Sequence, residues 1–164
     1  MANLAAQGDK AAQTAITIVK QAKRLGQNYQ DQGMSMEAIE AIIDRGDTLK
    51  TVIFYAHPDL PLDVSSIRFV FSQAEFSISV CQDTDQIVIQ SQIDPDLTVL
   101  DLSESFSRAL LQRKLESAWR MQNHRGYFDG IQLQFTGSGN EGSTIFQAIA
   151  EASLLRVFSV ERWK

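Results

Sequence analysis

The sequence predicts an α+β domain, with two N-terminal helices followed by a mainly antiparallel sheet of about six to eight strands and one inserted helix. Three observations predict it. Apolar residues recur at helical spacing up to residue 46 and at alternate positions beyond it. All nine phenylalanines and both tryptophans lie beyond residue 46. Clusters of turn formers, such as His57-Pro58-Asp59-Leu60-Pro61 and Asp94-Pro95-Asp96, punctuate that later part. The 164 residues read as a single domain, with 1–46 a helical N-terminal segment and 47–164 a sheet-rich core.

The first helix is predicted by Ala11, Ala12, Ala15, Ile16, Ile18, Val19, Ala22 and Leu25, with Asp9 as its cap and Gly26 as its stop. A glutamine-rich stretch leads to the second. There Ser35 caps the first turn, Met34 packs on Ile39 as a hydrophobic staple, Met36, Ile39, Ile42 and Ile43 form the stripe, and Gly46 ends it.

Residues 48–56 read as a buried strand. Ile67, Phe69 and Phe71, then Phe76, Ile78 and Val80, alternate with polar or smaller residues as two strands of a hairpin. Gln82-Asp83-Thr84-Asp85 makes a turn and 87–91 a further strand. Asp101 and Glu104 form a capping-box pair for an inserted helix over about 102–113. Leu115 to Gln122 fits either period, and a strand is favoured because Asn123-His124-Arg125-Gly126 has turn composition and Ile131, Leu133 and Phe135 alternate with Gln132 and Gln134. Residues 143–162 suit a helix or two strands bent near 151–153, and two strands are preferred. The runs Ile67 to Ser72 and Ile131 to Thr136 share one pattern at an offset of 64, which fits an internal repeat or two unrelated but similar strands.

Composition limits the chemistry. With 15 Lys and Arg against 20 Asp and Glu, the net charge is −5, which gives no overall field for nucleic acid. The longest apolar runs fall far short of the roughly 20 residues a membrane-spanning helix needs, and no secretory signal is present, so a cytoplasmic protein is expected. Cys81 is the single cysteine, which excludes an internal disulfide and a thiolate zinc cluster. Sixteen glutamines read as surface filling.

No motif supplies catalysis. Gly137-Ser138-Gly139-Asn140-Glu141-Gly142 fits G-x-G-x-x-G, but the 22 residues after it leave no room for a dinucleotide fold, and Glu141 would repel a pyrophosphate. No catalytic residue, cofactor or metal site is therefore assigned. His57 with Asp59 and Asp63 is the one local cluster with metal-ligand character, and it lacks three convergent ligands of zinc type. His124 and Arg125 occupy a hairpin tip able to touch an anionic ligand.

The stretch Trp119-Arg120-Met121-Gln122-Asn123-His124-Arg125-Gly126-Tyr127-Phe128-Asp129-Gly130-Ile131-Gln132-Leu133 resembles a motif of small uncharacterised proteins of cyanobacterial type. The resemblance covers 65–162 and implies the hairpin and a cytosolic setting, with no activity attached. Interaction surface is what remains. An alanine-rich helix and uncovered sheet edges both suit pairing across a two-fold axis, so a homodimeric, non-enzymatic interaction or structural protein is expected. The alternative is a small-ligand-binding protein or enzyme with an apolar cavity between curved sheet and helices, lined by His57, Asp59, His124 and Arg125.

Overall fold

In the computed structural model, which describes residues 36–81, 83–100, 108–137 and 142–161, the second expected helix forms as α1, Met36–Arg45. Its C-terminus closes as a Schellman motif. Gly46 has φ +64, its N–H donates to the Ile43 carbonyl at 2.9 Å and the Asp47 N–H to that of Ile42 at 3.2 Å, which satisfies two carbonyls the helix would otherwise leave open. Ile39 and Ile42 are buried in the same core as the strands. This helix therefore belongs to the core, within the unit Met34–Lys164 that contains every described residue, rather than to a separate arm ending at residue 46. The first expected helix lies outside the described residues.

Instead of one sheet of six to eight strands, the described residues form nine strands in two sheets. β1 (Leu49–Ala56), β2 (Ser66–Phe71), β3 (Glu75–Cys81), β4 (Gln86–Gln90) and the short β5 (Thr98–Leu100) lie in the order β4-β3-β2-β1-β5. β6 (Lys114–Gln122), β7 (Phe128–Thr136), β8 (Ser143–Glu151) and β9 (Leu154–Glu161) form the second sheet in sequence order. Each paired neighbour is antiparallel. Both ambiguous stretches resolve as strands, as preferred, with a turn at Ala152 and Ser153. For the inserted helix, 101–107 lie outside the described residues, while 108–112 form turns. Gln112 takes φ +63 and its N–H donates to Leu49 O at 2.9 Å, so the backbone leaves any helical path there to pair with β1.

Alternation gives each sheet one apolar face. Ile67, Phe69 and Phe71 of β2 and Ile131, Leu133 and Phe135 of β7 are buried, and these two matched strands each hold second place in a four-stranded meander. The faces meet through aromatic rings. Phe69 stacks on Phe76 of its own sheet at 5.1 Å and reaches Phe146 edge-on at 5.1 Å and Phe135 at 6.4 Å in the other. Such pairs contribute about 0.5–1.5 kcal/mol each beyond the burial of area.

Three polar connections hold the sheets in register. Thr48 bridges Lys114 in antiparallel fashion, the Leu155 N–H donates to Val64 O at 2.8 Å, and the Ser153 N–H donates to Asp85 Oδ1 at 2.6 Å. At the end of α1 the buried Asp47 carboxylate accepts from Arg45, 2.9 Å away, and from Ser72 Oγ at 3.2 Å. Pairing and hydrogen bonding of this kind keep a buried charge tolerable.

Phe69→Ala should cost about 3–5 kcal/mol in urea unfolding, and a loss below about 1 kcal/mol would show that the two faces do not depend on this ring. Ala152 has φ +52 in the β8–β9 turn, where L residues other than Asn or Asp are strained. Ala152→Asn should therefore stabilise by roughly 0.5–1 kcal/mol at unchanged m-value; destabilisation would contradict that.

Candidate interaction surface

The four residues singled out from sequence occupy two separate loops. His57 and Asp59 lie in the β1–β2 connection, where the Asp59 N–H donates to His57 Nδ1 at 3.3 Å and Asp59 Oδ2 stands 3.6 Å from that nitrogen. His124 and Arg125 are exposed at the β6–β7 tip. No hydrogen bond or ion pair among the described residues joins one pair to the other. The topology explains why. The loop is tied to the start of β9, where the Leu155 N–H donates to Val64 O, whereas the tip joins β6 and β7, and β9 is the third strand from β6 across the sheet, roughly 15 Å away.

The β6–β7 tip is built by Asn123. Its Oδ1 accepts from the N–H groups of Arg125 at 2.9 Å and Tyr127 at 3.2 Å, its Nδ2 donates to Asp129 Oδ2 at 2.9 Å, and its own N–H donates to Tyr127 O at 2.9 Å. Gly126, at φ +85, completes the reversal. Around this frame stand Tyr127, 46% exposed, and Phe128, whose ring carries the Arg120 guanidinium 5.0 Å from its centroid. Arg45, Arg68 and Arg156 pair with carboxylates. Arg120 and Arg125 have no carboxylate partner among the described residues, and the Asp129 carboxylate is engaged by Asn123.

The hairpin leads onto the outer face of the second sheet. Register places Trp119, Gln132, Gln147 and Phe158 in one row across all four strands. Gln132 Nε2 donates to Gln147 Oε1 at 2.7 Å, which leaves the two aromatic residues at the row's ends uncovered, 44% and 47% exposed. Gly130 stands opposite Met121; a Cβ at residue 130 would lie 2.2 Å from the Met121 terminal methyl, so the absent side chain is what lets Met121 lie flat across the strands.

The corresponding row of the first sheet, Ile53, Arg68, Ser77 and Gln90, is closed by its own polar groups. Arg68 pairs with Glu75; that bond first, then one to Tyr55, holds its pKa above the usual arginine value. Ser66 Oγ donates to Ile78 O at 3.1 Å and lies 2.7 Å from Ser79 Oγ, which accepts from Gln90 Nε2 at 2.9 Å. Arg68 Nε and Ser77 Oγ are buried without a partner, and their inaccessibility keeps them from meeting a ligand.

At the β1–β2 loop, turns closed by Leu60 N–H to His57 O at 2.9 Å and Asp63 N–H to Leu60 O at 3.1 Å push Leu62 outward to 90% exposure and Leu60 to 48%. Sequence reading placed the loop and missed its leucines. The signal was there, since Leu60-Pro61-Leu62 lies between acids in a connection where neither strand nor helix can carry it inward. The Arg120–Phe128 stack depends on register shifts within β6 that alternation does not reveal. The glycine-rich sequence 137–142 is followed by β8, which pairs antiparallel with β7, so a strand stands where a dinucleotide site needs a helix. Among the described residues no group of three His, Cys, Asp or Glu could hold a metal, and no helix is long and apolar enough to cross a membrane.

Residues 34–164 match the model of a family of unknown function, DUF6334. No curated protein and no solved structure matches the chain.

Asn123→Ala should speed hydrogen exchange at the Arg125 and Tyr127 amides by about tenfold through loss of their acceptor while the amides of β8 keep their protection. Unchanged exchange at the tip would remove Asn123 as its organiser.

Proposed function

We propose that this chain, which belongs to the DUF6334 family of unknown function, is a non-enzymatic interaction protein that acts as a homodimer, with the β6–β7 hairpin and the adjoining sheet face as its contact surface. The composition of the hairpin supports the reading. Trp119, Arg120, Arg125, Tyr127 and Phe128 are exposed within ten residues, and Trp, Tyr and Arg are the side chains that dominate binding energy at protein interfaces.

Charge favours a second copy as the occupant. From Lys114 to Thr136 the cations Lys114, Arg120 and Arg125 outnumber Glu116 and Asp129, in a chain of net charge −5. The rest of the molecule is thus acidic, and another copy brings an acidic surface to a basic, aromatic hairpin. A lone cysteine suits the reducing cytoplasm, and we place the dimer there.

Sedimentation equilibrium over a wide concentration range tests this. The wild-type chain should weigh as a dimer, and Trp119→Glu should weaken association by about tenfold or more with an unchanged circular dichroism spectrum. A wild-type monomer at every concentration would refute the reading.

A further inference from the structure

The molecule presents a second exposed surface whose chemistry is the converse of the hairpin. The β1–β2 loop carries Asp59, Leu60, Leu62 and Asp63, with Leu62 the most exposed of the large hydrophobic residues described. A leucine held out in water between two carboxylates is unfavourable for an isolated molecule, since its apolar surface gains from burial. The hairpin offers what that loop lacks: the Tyr127 and Phe128 rings for the leucines, and Arg120 and Arg125, without carboxylate partners among the described residues, for the acids. Within one chain the two do not meet, because Val64 ties the loop to the start of β9 while the hairpin belongs to β6 and β7 on the other side of the sheet.

Resting on the homodimer reading above, we infer that the acidic loop of one copy docks on the hairpin of a second, and that the contact is reciprocal across a two-fold axis. Two complementary surfaces that do not touch within one molecule suit such an arrangement, since the rotation that seats the first loop on the partner's hairpin brings the partner's loop to the first hairpin. Each dimer then contains two equal contacts. His57 and Asp59 come beside His124 and Arg125 of the opposite copy, so the four residues form two composite sites rather than one pocket.

Charge reversal reads this directly. Asp59→Lys with Asp63→Lys makes a chain whose loop and hairpin are both basic; Arg120→Glu with Arg125→Glu makes one in which both are acidic. Each variant alone should dimerise about a hundredfold more weakly than wild type, an equimolar mixture should restore a heterodimer, and all four changes in one chain should restore the homodimer. If wild type is a dimer and neither variant weakens it, the loop-to-hairpin contact is wrong while the homodimer reading stands. Weakened variants that fail to recover on mixing, with native circular dichroism, also overturn the contact. Wild-type assemblies that grow without limit overturn the reciprocal two-fold, and a wild-type monomer overturns the homodimer reading and this contact together.

Discussion

A four-stranded antiparallel meander with one apolar face is not stable in water by itself, because that face must be removed from solvent and the sheet has nothing of its own to cover it. Two such meanders must close on each other, and they do so at Phe69. Its ring touches Phe76 in its own sheet and Phe135 and Phe146 in the other, so stacking within one sheet and packing between the two are a single cluster. The remaining features follow. Ile39 and Ile42 bring α1 into the same core, and the backbone pairing of 112–114 with 48–49 fixes where the second meander starts relative to the first.

Because both inner faces are spent on this closure, any partner must be met by what lies outside them. The outer faces have diverged despite the shared order of strands. In the first sheet Arg68, Glu75 and Tyr55 and the Ser66, Ser79 and Gln90 chain satisfy one another. In the second, a glutamine pair bonds across the middle of the row and the aromatic ends stay open. A face whose accessible polar groups are already paired, and whose unpaired Arg68 Nε and Ser77 Oγ are buried, has little to gain from a partner, whereas exposed rings gain the burial of their area. The difference in chemistry, on a common backbone plan, is what distinguishes scaffold from contact surface.

Much of the fold was legible because its signals are local. Period-two alternation located β2, β3 and β7, and Gly46 marked the end of α1, each through physics confined to neighbouring residues, whereas 143–162 suited a helix as well as the two strands that form. The number of sheets was not legible. Nothing in the pattern of Leu115 or Phe135 states whether they face the same layer as Phe69 or an opposing one, which is decided by long-range closure. β5 escaped notice because three residues are too few to show a period, and turns stand at 108–112, where the end of the inserted helix was expected, because Leu49 claims the backbone of Gln112 and Arg113. The site residues divide the same way. Composition found His57, Asp59, His124 and Arg125 as loop residues, but assigning them to one pocket required the loop and the hairpin to adjoin, whereas Val64 anchors the loop on β9 and the hairpin belongs to β6 and β7.

That anchoring also bears on how the exposed loop and the hairpin are to be understood. Val64 fixes the loop against β9, while Arg120 and Phe128 stand on β6 and β7. Separation across the sheet leaves both unsatisfied in the monomer. An exposed leucine and arginines without carboxylate partners among the described residues are each ordinary alone. Together they form a matched apolar and charged pair, on rigid turns held by Asn123 and by the His57–Leu60–Asp63 hydrogen bonds. Rigid turns lose little conformational entropy on docking, so complementarity at these two turns favours association between copies over rearrangement within one.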